Sequence, residues 1–214
     1  MLGHAMTDVD IDPVTSSAPV LRLRGIKLRA NSPAIDLDAN DGEVVAVTGL
    51  LGSGKSQLAE VIFGLAQPAG GTMELDGNNY QPGNAKAAVR DGVFMSPKDR
   101  ASNAVFPAFD IANNMTLPFL GSFSRLSLLS ERGQRRASTE MIQDIGIVCQ
   151  SNRDGIGTLS GGKQQKVMIA RWLLKLGRVL LLGPPFPVVA TGARPALRPQ
   201  HRAHSPRTAT TAFV

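Results

Sequence analysis

The sequence predicts an α/β protein, and three observations carry that reading. Short apolar runs at 44–47, 92–95 and 178–182 have the length and composition of core strands. Helical spacings fall between them, at 57–63, around 130–145 and at 161–176, and strands alternating with helices imply a sheet covered by helices. A glycine-rich loop, Gly49-Leu50-Leu51-Gly52-Ser53-Gly54-Lys55-Ser56, joins the first of these strands to the first helix.

The elements follow in order. Residues 1–19 are polar, with Pro13, Ser16, Ser17 and Pro19, and read as a flexible leader. The first ten residues are acidic and lack the apolar stretch of a signal peptide. Val20-Leu21-Arg22-Leu23-Arg24 alternates apolar and basic residues, the pattern expected of an edge strand, and 34–38 alternates similarly. Asn40-Asp41-Gly42 is a turn into the strand at 44–47, which is expected to be buried. A further strand at 72–77 ends in a turn. Residues 100–155 mix polar and helical patterns, and no internal repeat is visible.

The loop fits G-x-x-x-x-G-K-[ST], the phosphate-cradling loop of P-loop NTPases, and it stands in the strand–loop–helix context that this motif requires. Glycines let main-chain N–H groups curl around an anion, and the helix N-terminus adds favourable potential. Lys55 is expected to reach the β/γ-phosphates of a nucleotide, and the Ser56 hydroxyl to ligate Mg²⁺.

Composition narrows the class. The chain has 214 residues and is 43% hydrophobic, enough for one core, with no run approaching the ~20 apolar residues of a membrane span. The single cysteine, Cys149, excludes an internal disulfide and reads as a small buried side chain. These features predict a cytoplasmic protein. The net charge of +6 is unevenly spread. Asp154 is the last acidic residue, and nine basic residues follow it, leaving 14 basic against 17 acidic residues up to that point. A basic end can bind nucleic acid, which leaves a nucleic-acid-binding protein as one alternative, resting on that charge alone.

A second motif, Leu159-Ser160-Gly161-Gly162-Lys163-Gln164-Gln165-Lys166-Val167, opens the helix at 161–176. Ser160 is expected to cap that helix, and Gly161-Gly162 allows close approach of a ligand. With the glycine loop, it resembles the L-S-G-G-Q signature of ABC transporter ATPases. The longer stretch to Leu173, together with Ser96-Pro97-Lys98-Asp99-Arg100 and Asn113-Asn114-Met115-Thr116-Leu117, is similar to the second nucleotide-binding half of monosaccharide importers.

The resemblance runs from about Val20 to Leu182 and implies an ABC ATPase domain over 20–182. That domain would have an edge antiparallel β subdomain, a helical subdomain at about 100–155 that docks membrane-spanning permease subunits, and a missing C-terminal part. It implies ATP and Mg²⁺ as cofactors, with Gly49, Leu50, Leu51, Gly52, Ser53, Gly54, Lys55 and Ser56 on the phosphates and metal. Ser160, Gly161, Gly162 and Gln164 would contact ATP held by a second nucleotide-binding domain. A periplasmic sugar-binding protein is an indirect partner, nucleic acid is not one, and the location implied is the inner face of the cell membrane.

The chain departs from the family pattern in four places. The family continues a strand such as Val179-Leu180-Leu181-Leu182 into D-E-P-T, whose carboxylates serve Mg²⁺ and the attacking water. This chain continues Gly183-Pro184-Pro185-Phe186, so no catalytic residue is identifiable. The implied switch histidine lies further past Ser160 than Val214, and His201 and His204 sit in a Pro/Arg/Ala segment instead. Lys98 stands where the family has a glutamine or glutamate. No aromatic residue precedes Phe63, so the usual adenine platform is missing.

Residues 183–214 are rich in Pro and Arg, hold no acid, and support neither strand nor helix, as a disordered tail read out of frame after Leu182 would. The strand at 178–182 is then expected to lack a neighbour. The expected function is ATP binding in a sugar ABC import system, with hydrolysis in doubt. The alternative within the fold is a catalytically inactive nucleotide-binding remnant or pseudogene product.

Overall fold

The computed structural model describes residues 19–50, 52–96, 105–183 and, for the main chain alone, 210–213. It contains an antiparallel sheet, a parallel sheet and a group of helices.

In the antiparallel sheet, β1 (Pro19–Lys27) lies between β2 (Ile35–Asn40) and β4 (Gly70–Leu75), and β4 also pairs with β5 (Asn78–Asn79). Leu21 and Leu23 enter the core, at 1% and 0% exposure. Arg22 and Arg24 lie on the other face and reach Glu74 and Asp38. The alternation at 20–24 therefore marks one wet face of an inner strand, not the open edge it suggested. Side-chain alternation reports the two faces of a sheet and carries no information about its edges. The hydrogen bond from Arg24 holds the Asp38 carboxyl below its usual range. Both side chains are more than 40% exposed, so the pair adds little to stability.

The parallel sheet has the order β3 (Val44–Ala46), β10 (Thr210–Phe213), β9 (Val179–Leu182), β6 (Val93–Ser96). All four residues of β9 are buried, and they divide by parity. Val179 and Leu181 join a core with Leu23, Leu58, Val61 and Met73, whereas Leu180 and Leu182 join Phe94, Phe119 and Trp172. Phe94 stacks on Trp172 at 5.2 Å, and Phe119 meets Phe94 edge-on at 5.4 Å.

Two expectations fail here. β3 is not a buried strand: Val44 is 51% exposed and Ala46 is also exposed. Among the described residues it has a neighbour on one side only. The segment 183–214 does form a strand, at Thr210–Phe213, and so β9 is paired on both sides by β6 and β10. The four residues Thr-Thr-Ala-Phe lie past the last proline and contain no breaker.

The helices are α1 (Lys55–Ile62), α2 (Ala85–Arg90), α3 (Ile111–Thr116), α4 (Glu131–Ile145) and α5 (Gly161–Leu173). α1 buries Leu58, Ala59, Val61 and Ile62, the face its spacing implied. Ser130 caps α4, its Oγ accepting from Gly133 N at 3.1 Å, and Gly146 ends the helix in the left-handed region. α3, α4 and α5 enclose a separate core of Ile111, Met115, Ile145, Ile156, Val167 and Ala170. Cys149 packs beside this core half-buried, and burial raises its thiol pKa. A two-residue hairpin, β7 (Ser124–Arg125) with β8 (Leu128–Leu129), precedes α4.

Leu181 is 1% exposed at the centre of β9. Leu181→Ala is expected to cost about 2–5 kcal/mol, because the transfer and cavity terms add where the surroundings cannot collapse. Urea unfolding should show a lower midpoint at an unchanged slope.

Candidate nucleotide site

The glycine loop leaves β3 and enters α1 at the carboxyl edge of the parallel sheet, where α/β proteins place ligands. Gly54 sits at the helix entry with φ 93°, and a Cβ there would meet Leu28 Cδ1 at 2.7 Å. A Cβ on Gly49 would meet Ser53 Oγ at 2.7 Å. The left-handed backbone at Gly54 is what requires glycine there, while at Gly49 a side chain would crowd only the mobile Ser53 hydroxyl. No side chain caps the N-terminus of α1.

Lys55 folds back over the loop. Its Nζ donates to Gly49 O at 2.7 Å, to Leu50 O at 2.9 Å and to Ser53 Oγ at 3.3 Å. No carboxylate pairs with it among the described residues, so the ammonium is hydrogen-bonded but not neutralised. An ammonium in that state at an open loop is set to exchange carbonyl oxygens for those of an anion. Ser56, the next residue, is exposed. Among the described residues there is no group of three or more Asp, Glu, His or Cys side chains that could hold a metal.

The C-terminal end of β9 lies two strands away on the same edge. Gly183 follows it, its N–H donating to Ser96 O at 3.1 Å. Gly183 occupies the place where the resemblance implies the first carboxylate, so the strand delivers no side chain to the edge. Leu51, Lys98, His201 and His204 lie outside the described residues.

The signature segment forms the start of α5. Ser160 is at the helix entry, where its main-chain oxygen accepts from Gln164 N at 2.9 Å. Its side chain makes no capping hydrogen bond, contrary to expectation, and the residue is exposed. Gln164 Nε2 donates to Leu159 O at 3.0 Å and to Ile156 O at 3.3 Å, tying the preceding turn to the helix. Gly161 is exposed and Gly162 partly so.

Sequence reasoning missed one buried polar junction. Arg171, 5% exposed on α5, donates from Nε to Asn114 O at 2.7 Å, and burial pushes its pKa down to about 10. Asn114 is itself fully buried: its Nδ2 donates to the carbonyls of Phe106, Phe109 and Asp110, and its Oδ1 accepts from Phe106 N. The two residues pin the 106–110 segment to the signature helix. Both lie within the motifs quoted above, but their spacing of 57 residues gave no sign that they meet.

A family model described as ABC transporter matches residues 33–186. The chain belongs to the ABC transporter family. Two similar relatives are the Ribose import ATP-binding protein RbsA of Pseudomonas putida and the Arabinose import ATP-binding protein AraG of Azospirillum brasilense. The first is 35% identical over 181 residues, covering 85% of this chain and 35% of the relative. The second is 32% identical over 196 residues, covering 91% and 38%. This ABC chain thus spans little more than a third of the length of the relatives it matches.

Solved structures agree on the fold. A dimeric bacterial ABC transporter cassette aligns with a TM-score of 0.71 at 20% identity, covering 91% of this chain and 87% of that one. A dimeric ATP-binding cassette in a post-hydrolysis state, bound to ADP and Pi, aligns at 0.70 and 19%, covering the same shares. Among the described residues no helix is long and apolar enough to cross a membrane.

Arg171→Met removes the donors that satisfy Asn114 O. It is expected to cost about 1.5–3 kcal/mol, the range for hydrogen bonds that involve a charged group. Arg171→Lys should recover part of the loss, and chemical denaturation of the three proteins measures both effects.

Proposed function

We propose that this chain is the ATP-binding part of a sugar-importing ABC system, one that holds Mg-ATP on its glycine loop and hydrolyses it slowly or not at all. One observation carries the reading: on the same edge of the sheet, β3 ends in a complete glycine loop while β9 ends in Gly183. The names of the relatives, ribose and arabinose import ATP-binding proteins, supply the transport context.

The chain's own residues then act as follows. Main-chain N–H groups of residues 49–56 bind phosphate oxygens, and the Lys55 ammonium leaves the carbonyls of Gly49 and Leu50 for them. The Ser56 hydroxyl is the protein ligand for Mg²⁺, which neutralises phosphate charge when bound. Ser160, Gly161 and Gly162 face the nucleotide of a second nucleotide-binding domain, and Gln164 keeps their turn in shape. The helical subdomain at about 100–155, which shares a core with α5, offers the surface for permease subunits, which hold the chain at the inner membrane face and receive sugar from a periplasmic binding protein.

Binding and chemistry separate because different groups supply them. Loop amides and Lys55 are present. A group that orients or deprotonates the attacking water commonly contributes 10²–10⁴-fold in rate, and β9 offers none. Gly183 and the following Pro184 therefore favour, as second reading, a binding module without catalysis.

Calorimetry is expected to show saturable ATP and ADP binding that Lys55→Ala abolishes. Phosphate release should stay below about 0.1 s⁻¹, against 1–10³ s⁻¹ for typical enzymes. Faster turnover would refute the catalytic deficit. DNA affinity with a steep salt dependence, without nucleotide binding, would replace the proposal by a nucleic-acid function.

A further inference from the structure

We infer that β10, the strand at the end of this chain, is a positioning element for the glycine loop: it ties the strand that launches the loop to the rest of the sheet. The inference rests on the nucleotide-binding reading above for its functional half only.

The ladder shows the dependence. Val44, Val45 and Ala46 of β3 pair in parallel with Thr211, Ala212 and Phe213, and β10 pairs on its other side with Val179–Leu182 of β9. Among the described residues β10 is the one strand that β3 pairs with. Packing replaces this tie only in part, since Val45 and Val47 lie half-buried against the core while Val44 is 51% exposed and Ala46 exposed. The two ends of the glycine loop are therefore held by different means. The α1 end is fixed by four residues buried in the core, and the β3 end by two half-buried valines, Val45 and Val47, together with main-chain hydrogen bonds to β10.

Without β10, both β3 and β9 would present unpaired N–H and C=O groups on facing edges. The β3 end of the loop would lose its register while α1 stayed packed. The tight curl that sets Lys55 against Gly49 O and Leu50 O requires both ends. β10 thus serves nucleotide binding from a distance, through main-chain pairing with a segment some 167 positions earlier in the chain.

Two experiments on the full chain test this. In a Cys149→Ser background, Val45→Cys with Ala212→Cys should form an intramolecular disulfide on mild oxidation, because laddered residues lie within disulfide reach. No cross-link overturns the assignment, and a cross-link found only between copies overturns it in favour of strand exchange. Separately, Ala212→Pro removes a ladder N–H from a strand with neighbours on both sides, while Ala212→Val keeps it. Amide exchange at Val44–Ala46 should accelerate at least tenfold in Ala212→Pro and not in Ala212→Val, with α1 protection kept. The Kd for a fluorescent ADP should weaken at least tenfold in parallel. Unchanged exchange sinks the structural claim. Faster exchange with unchanged ADP affinity sinks the claim that β10 serves the loop. A parent chain that binds no ADP, but shows the exchange effect, refutes the nucleotide reading and leaves the strand assignment standing.

Discussion

Parallel main-chain pairing across β3, β10, β9 and β6 is the constraint on which the molecule's chemistry depends. Parallel strands bring their carboxyl ends to one edge, so the glycine loop after β3 and the Gly183 position after β9 share that edge whatever side chains they carry. The buried half of the ladder is held by packing as well. β9 sends Val179 and Leu181 to one core and Leu180 and Leu182 to another, which fixes its register, since a slip by one residue would exchange the two sets. β3 has a weaker form of this second restraint, with only Val45 and the following Val47 half-buried against the core, and depends more on hydrogen bonds.

Binding and bond cleavage part company at that edge because they draw on different resources. In the proposed function, anion binding uses main-chain amides, a helix terminus and one ammonium, all of which survive as long as the backbone takes the correct path. Cleavage needs particular carboxylates at particular points. A strand can hold its place in a sheet with glycine at its end, but a side chain that is absent cannot orient water. The fold can thus persist after the chemistry is removed, and the two functions fail independently.

The helical region is joined to the sheet by contacts of unlike kinds. Phe94, Phe119 and Trp172 make an aromatic cluster in which β6, the segment after α3, and α5 meet. Arg171, the neighbour of Trp172, satisfies Asn114 and through it the turn at 106–110. Aromatic stacking tolerates small adjustments, whereas a buried guanidinium bonded to carbonyl oxygens does not, because misalignment leaves charge and carbonyl unsatisfied. The signature helix is therefore held both by apolar packing and by a polar junction with stricter geometry.

Local patterns in the sequence were enough for the strand–loop–helix unit at 44–63, the helices near 131–145 and 161–173, and the burial of 179–182. Each of these depends on neighbours in sequence: a left-handed glycine at a helix entry, a cap at Ser130, a run of four apolar residues. The same patterns misassigned 20–24 to an edge and 44–47 to the interior, and they gave no strand after Gly183. Those properties depend on which strands lie alongside, and the partners of β1, β3 and β9 come from other segments of the chain, near for β1 and distant for β3. The sequence by itself therefore determined the glycine-loop motif and the lack of carboxylates after Leu182, because both are matters of which side chains follow which. Only the tertiary structure decided that Thr210–Phe213 fills the gap between β3 and β9 and that Arg171 meets Asn114. Such contacts arise from distant segments competing for the same unpaired groups.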